Sequence, residues 1–200
     1  MFGKDFKYKI WDDLIEPNFR YDFDQFTNKV AWNLTNRANG MNHQFPDGVK
    51  GSHLFWGKTF FEINRESGKI TSDIPDHVWG LQEWVFQRHL NENLGNRKFN
   101  FHYIGLNGQS LGQDGTVHVD GNSDEHYTLM YFVNDVWEKD WGGDFELIGE
   151  NNQVIDKIEF VPGRLIFFKS NIPHRGLGPL KPMVVRKTLV WRGHLSNNNE

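Results

Sequence analysis

From residue 99 almost to the C-terminus, short apolar runs alternate with turn residues. The runs cover 101–106, 116–120, 127–134, 144–148, 154–160, 165–168 and 183–191. They are separated by Gly142-Gly143, Asn151-Asn152, Pro162-Gly163 and the Gly- and Pro-containing stretch 176–182. Segments this short, rich in aromatic and β-branched residues and bounded by such turns, read as strands. Seven of them in succession predict a sandwich or barrel.

The first half is mixed. Residues 6–11 alternate and predict a short strand, and 54–63 predict another. Residues 17–34 predict a helix, with Phe19, Phe23, Phe26 and Val30 at spacings of three and four behind Pro17. Residues 36–52, rich in Asn, Gly and Asp, predict a long loop, and loops of that length are usually functional. A lid over the mouth of the β unit is the expectation there. A second helix is predicted over 75–94. Ser72 or Asp73 would cap it, Val78, Leu81 and Val85 would form its apolar stripe, and Gly95 stands where a C-terminal cap belongs. The two helices would cover one outer face of the strands. There is no internal repeat or low-complexity linker, so the expectation is one domain over 1–195. It would comprise a strand-and-helix support (1–98), a β core (99–195) and a polar tail (196–200).

Composition narrows the chemistry. The 200 residues include no cysteine, which excludes disulfides, thiol nucleophiles, iron–sulfur clusters and cysteine-based zinc sites. A net charge of −4 argues against strong non-specific nucleic-acid binding. No apolar run approaches the ~18 residues of a membrane span. The charged, interrupted start does not read as a signal peptide, so a cytoplasmic protein is expected, in a host cytoplasm if the gene is a phage's. Gly105, Gly108 and Gly112 lack the strand-to-helix context of a phosphate-binding loop.

Among nine histidines, one forms His118-Val119-Asp120. In a strand, residues i and i+2 share a face, so this imidazole and carboxylate would converge on one point. A third ligand is needed, and His174 follows the apolar run 165–168 in the turn Pro173-His174-Arg175-Gly176. Two histidines and a carboxylate suit non-haem Fe(II), with Zn or Mn as competing occupants. In 184–191, strand parity puts Val184, Arg186, Thr188 and Val190 on one face. An arginine pointing with valines is costly to bury unless it meets an anion, and a guanidinium binds a carboxylate bidentately. The alternative parity leaves Arg186 in solvent.

These residues resemble the Fe(II)- and 2-oxoglutarate-dependent dioxygenases, most closely their prolyl-4-hydroxylase-like branch, of which small members occur in bacteria and phages. The resemblance covers 101–192. It rests on an ordered series: Tyr103, His118-Val119-Asp120, residues 127–134 with Trp137, residues 142–147, residues 162–168, His174, and Arg186-Lys187-Thr188 before Trp191. It implies a double-stranded β-helix, a cupin-like jelly roll with metal in its mouth. His118, Asp120 and His174 would bind Fe(II). The cosubstrate 2-oxoglutarate would chelate the metal and pair its distal carboxylate with Arg186, helped by Thr188. Tyr103 would donate a hydrogen bond to it. A tyrosine frequent late in the strand at 127–134 is replaced by Phe132, so one hydrogen bond to the distal carboxylate is either missing or supplied by Tyr131. Ascorbate would serve as reductant. The implied reaction consumes O2, releases succinate and CO2, and hydroxylates a C–H bond, here expected on a prolyl residue or related amino acid within a peptide, protein or free amino-acid substrate.

Two other functions fit part of the pattern. Arg186 and Arg192 stand six apart on one strand face, a spacing found in the nucleic-acid demethylases of the same superfamily, although no Lys/Arg cluster offers a phosphate track. A non-enzymatic, cupin-like or structural jelly roll is the other alternative.

Overall fold

The computed structural model describes residues 7–36, 54–64, 67–83, 89–94 and 97–197. Its main sheet is antiparallel and runs in the order β1 (Tyr8–Trp11), β9 (Leu165–Lys169), β6 (His126–Phe132), β11 (Arg186–Asn197), β5 (Arg97–Gln109), β3 (Phe55–Ile63) and β2 (Asn33–Asn36). The short β4 (Ile70–Ser72) also pairs with β3. A small sheet of order β10 (His174–Gly176), β7 (Phe145–Ile148), β8 (Val154–Ile158) faces it. This is a jelly roll, a double-stranded β-helix.

The central strands read as nearly continuous apolar runs because both faces of the main sheet are buried. Tyr127, Leu129 and Tyr131 of β6, Leu165 and Phe167 of β9, and Leu189 and Trp191 of β11 pack on one side against Phe23 and neighbouring residues of helix α1 (Pro17–Asn28). Met130, Phe132, Ile166, Phe168 and Val190 pack on the other, between the sheets, with Phe145, Leu147, Ile158 and Phe160. Period-two alternation sends successive residues to two different cores. Burying each of these aliphatic or aromatic groups contributes roughly 1.5–3 kcal/mol of transfer free energy.

Several boundaries differ from the sequence expectation. Helix α1 ends at Asn28, six residues before 34. Lys29 and Val30 N–H groups bond back to Phe26 and Thr27 carbonyls in tightened turns, and the Trp32 indole donates to the Thr27 carbonyl at 3.0 Å. These contacts satisfy the helix end, and the chain then supplies strand β2 to the edge of β3. The second helix is helical at every described residue from 76 to 94: α2 (Asp76–Leu81), π-helical turns at 82–83 and 89–90, and α3 (Asn91–Leu94). Its N-cap is Pro75. Neither Ser72 nor Asp73 caps it, since Ser72 belongs to β4 and the Asp73 N–H donates to the Phe60 carbonyl. Val78 and Leu81 are buried as their stripe required. Val85, Gly95 and residues 37–52, the expected lid, lie outside the described residues. Residues 116–120 form no strand, only an isolated bridge between His118 and His174. Strand β11 extends to Asn197 through pairing of Ser196 and Asn197 with Lys98 and Arg97, so it takes in the start of the expected tail. No helix among the described residues is long and apolar enough to cross a membrane.

Candidate metal centre and anion pocket

The segment after β5 returns alongside β10. His118 and His174 exchange backbone hydrogen bonds of 3.0 and 2.9 Å, and their rings lie 4.4 Å apart. The Asp120 and Gly121 N–H groups both donate to the Ser170 carbonyl, which brings Asp120 over the same point. His118 Nε2 stands 3.6 Å from Asp120 Oδ1, and His174 Nε2 stands 3.5 Å from Asp120 Oδ2. One ligand atom from each of the three residues falls within 4.8 Å of the others.

The donor set fits a divalent ion. His118 Nδ1 lies 2.9 Å from the Thr116 carbonyl, and His174 Nδ1 lies 2.7 Å from the Ile172 carbonyl. A carbonyl only accepts, so each Nδ1 carries the proton and each Nε2 lone pair faces the shared centre. Burial, then repulsion from His118, pushes the His174 imidazolium below its ordinary range, which favours the neutral ligand form. Burial works to raise the Asp120 carboxyl. The adjacent Arg192 guanidinium outweighs it and holds the acid well below the usual range. The Thr128 hydroxyl donates to Asp120 Oδ2 at 2.9 Å, and Arg192 Nη2 lies 2.7 Å from Oδ1. Asp120 Oδ1 nevertheless has no well-aligned hydrogen bond among the described residues, which leaves it lone-pair capacity for a metal.

These groups open on a cavity of about 270 Å³ whose far wall is Arg186. Arg186 is 2% exposed. Its Nε donates to the Gly143 carbonyl at 2.6 Å, and its Nη1 donates to Gln109 Oε1 at 2.9 Å. Phe132 and Phe160 flank the guanidinium at 5.3 and 5.2 Å. Nη2 has no partner among the described residues. Burial pushes this cation below its ordinary value, to about 9, so an anion arriving at Nη2 would meet a poorly solvated positive group. Gly143, with φ of 81°, approaches the arginine so closely that a methyl group there would meet its Cδ at 3.1 Å.

Of the residues named from strand parity or from the resemblance, all but one lie at the cavity. Arg186, Thr188 and Tyr103 all line the cavity with His118, Asp120 and His174, and Thr188 is buried. The Tyr103 ring lies over Gly105, where any side chain would overlap its hydroxyl. Tyr131 is the correction. It alternates onto the other face of β6, where its ring meets Phe23 at 5.9 Å in the helix-side core, so it does not reach the cavity. Burial raises its hydroxyl above the ordinary range. Gln109 and Thr128 were missed. The signal was present in both cases, as polar residues at the cavity-facing parity of otherwise apolar strands: Gln109 follows Tyr103 at an even spacing, and Thr128 precedes Met130 and Phe132.

Residues 99–190 match the sequence profile of the 2OG-Fe(II) oxygenase superfamily. The match lies in the second half of the chain, over its β core. Members of that superfamily use Fe(II) and 2-oxoglutarate, and a His-Asp-His cluster of the required composition is present here. No curated protein sequence matches this one. Solved structures share its fold. One is an oxidoreductase of the 2OG-Fe(II) oxygenase family from Burkholderia pseudomallei, with TM-score 0.69 and 12% identity over 97% of this chain and 89% of that one. Another is a prolyl hydroxylase from Trichoplax adhaerens in complex with a hypoxia inducible factor peptide fragment, with TM-score 0.60 and 18% identity over 95% and 84%. A third is the viral collagen prolyl hydroxylase of Paramecium Bursaria Chlorella virus-1 in a 2-oxoglutarate complex, with TM-score 0.57 and 14% identity over 94% and 96%.

Proposed function

We propose that this chain is a 2OG-Fe(II) oxygenase that hydroxylates a C–H bond of a prolyl residue or related amino acid, using His118, Asp120 and His174 as metal ligands and Arg186 as the 2-oxoglutarate anchor. The observation that carries the reading is the half-paired guanidinium of Arg186, buried in the same cavity as three converging ligand atoms. Fe(II) and 2-oxoglutarate together supply O2 activation. The balance is R–H, O2 and 2-oxoglutarate to R–OH, succinate and CO2.

The protein's own residues bind and orient. Arg186 Nη2 and the Thr188 hydroxyl would take the distal carboxylate, a charge-assisted contact in a site walled by Phe132 and Phe160. The Gln109 amide oxygen accepts from Nη1 without competing for the arginine's charge, so Nη2 stays aimed into the cavity. Tyr103 would donate to the cosubstrate. Thr128 and Arg192 hold the Asp120 carboxylate against rotation. The aromatic wall excludes water, which strengthens each polar contact and protects reactive species from side reactions.

The test is succinate production with Fe(II), 2-oxoglutarate and ascorbate against proline-rich peptides, free proline and oligonucleotides. Turnover stimulated by a peptide or amino acid supports the reading. Oligonucleotide-stimulated turnover would favour the demethylase alternative, for which the shared cavity face of Arg186 and Arg192 is the supporting observation. A protein that gives no charge-transfer band with Fe(II) and 2-oxoglutarate under anaerobic conditions is not an oxygenase of this kind.

A further inference from the structure

The register across four strands sets one row of side chains beside the candidate metal centre. Glu62 of β3 stands opposite Tyr103 of β5, Tyr103 opposite Arg192 of β11, and Arg192 opposite Thr128 of β6. Thr128 in turn holds Asp120. A second cavity, of about 330 Å³, opens over this row, with His102 in its wall. It adjoins the first, since Glu62, Tyr103, Asp120 and Arg192 line both. Arg186, Thr188 and Gln109 line only the first cavity. If that inner space takes the cosubstrate, the outer one is left for the molecule to be oxidised.

The outer walls carry opposite charges in a fixed order. The Glu62 carboxylate and the Arg192 guanidinium are two strands apart, about 10 Å between backbones at the usual strand spacing, and both side chains are long enough to converge on a small molecule. Arg192 commits Nη2 to Asp120, while its Nε is buried with no partner among the described residues. A guanidinium has five donors, so this one has capacity beyond Asp120. The Tyr103 ring, 4.8 Å from the Arg192 guanidinium carbon, limits where that group can swing.

A prolyl residue inside a peptide carries no charge and no amide N–H. Seated here, it would offer no partner to the Arg192 donors not committed to Asp120 and none to the Glu62 carboxylate. A free α-amino acid presents a carboxylate and an ammonium on one carbon and answers both. Resting on the oxygenase reading above, we propose that the outer cavity recognises a zwitterionic free α-amino acid, its carboxylate on Arg192 and its ammonium on Glu62, with its remaining substituent turned to the metal. The same balance applies: one C–H bond of that substituent becomes C–OH as 2-oxoglutarate gives succinate and CO2.

The test uses the protein loaded anaerobically with Fe(II) and 2-oxoglutarate, read by perturbation of the charge-transfer band and then, with O2, by succinate yield. The probes are the common free L-amino acids including proline, the N-acetyl and C-amide forms of any that bind, and a proline-rich peptide. The expected result is that a free amino acid binds and is hydroxylated, and that blocking either terminus weakens binding at least tenfold. Glu62→Gln, a near-isosteric change at an exposed position, should raise KM for the amino acid at least tenfold with kcat nearly constant and 2-oxoglutarate affinity unchanged. Use of the peptide or of a blocked form as readily as the free amino acid overturns the proposal, as does an unaltered KM in Glu62→Gln or no binding by any free amino acid. Absence of the band before any probe is added would overturn the oxygenase reading itself, and this proposal with it.

Discussion

Arg186 and Lys187 are neighbours in the sequence, both cationic and both buried, yet they face opposite sides of the main sheet and are treated oppositely. Lys187 points at helix α1, where its Nζ pairs with the Asp24 carboxylate and bonds Thr27 Oγ1 at 2.9 Å and Asn28 Oδ1 at 2.8 Å. Burial lowers its pKa and Asp24 opposes that shift. Arg186 points at the cavity, with only uncharged oxygens on two of its nitrogens and nothing on the third among the described residues. A buried cation whose partners are all internal fastens two elements together. A buried cation left short of a counter-charge at a cavity wall is poised for an external anion.

Predictions that could break this contrast run from the metal centre outward. Replacing His174 or Asp120 with Ala should abolish the rise in Tm produced by Fe(II) or Mn(II) and lower turnover by more than about a hundredfold. Persistence of the metal-dependent Tm shift in either variant would break the ligand assignment. In the wild type, His174 is pushed below the ordinary imidazole pKa of about 6.5. It is therefore neutral at pH 7.5, and metal binding should weaken as acidification below the ordinary imidazole range lets protons compete. Titration calorimetry across pH 5–8 checks the sign.

Arg186→Ala should weaken 2-oxoglutarate binding by roughly ten- to a hundredfold, the size of a charge-assisted hydrogen bond, while metal affinity holds. Equal losses in both, or in neither, would erase the distinction from Lys187. Asp24→Ala, which strands Lys187, should cost about 2 kcal/mol in urea unfolding. That is below the 3–5 kcal/mol of a fully buried pair because the Asp24 side chain is partly exposed, and 2-oxoglutarate affinity should not move. Smallest is Asp12→Asn, which removes a two-pronged contact to Arg164 at 2.7 and 2.8 Å. The Asp12 carboxylate is 43% exposed, so about 0.5 kcal/mol is expected. The hydrogen bond from Arg164 lowers the Asp12 pKa. Its contribution should therefore be full above about pH 4 and disappear as the pH falls through the depressed value, which acid unfolding midpoints of the two proteins would show.

Much of the candidate site was legible because strand parity is rigid. Once 186–191 is a strand, Arg186 and Thr188 must share a face, and His118 and Asp120 share theirs even without a full strand around them. The resemblance misled where parity would have corrected it: Tyr131, offered as a substitute for a tyrosine at 132, sits one residue from Phe132, and one residue is the difference between the cavity and the helix-side core. Helix α1 was overrun because Leu34 continued an apolar pattern. Nothing in that pattern revealed that β3 would offer an unpaired edge to 33–36. Lys187 read as a polar interruption of an apolar face, since its partners Asp24, Thr27 and Asn28 lie about 160 residues away.

The local order of the sequence, with its turn residues, alternating runs, absent cysteines and His-x-Asp spacing, was enough to determine a β-rich sandwich or barrel and to nominate three candidate ligands and an inward-facing arginine; the ordered series of motifs, by resemblance, narrowed this to a jelly roll. Tertiary structure alone decided which polar groups stay satisfied and which are left open: the pairing of Lys187 with Asp24, the support of Arg186 by Gln109, and the row from Glu62 to Arg192. Hydrogen-bond partners and counter-charges are set by which strands become neighbours in space, and that is a property of the whole sheet that no short stretch of sequence encodes.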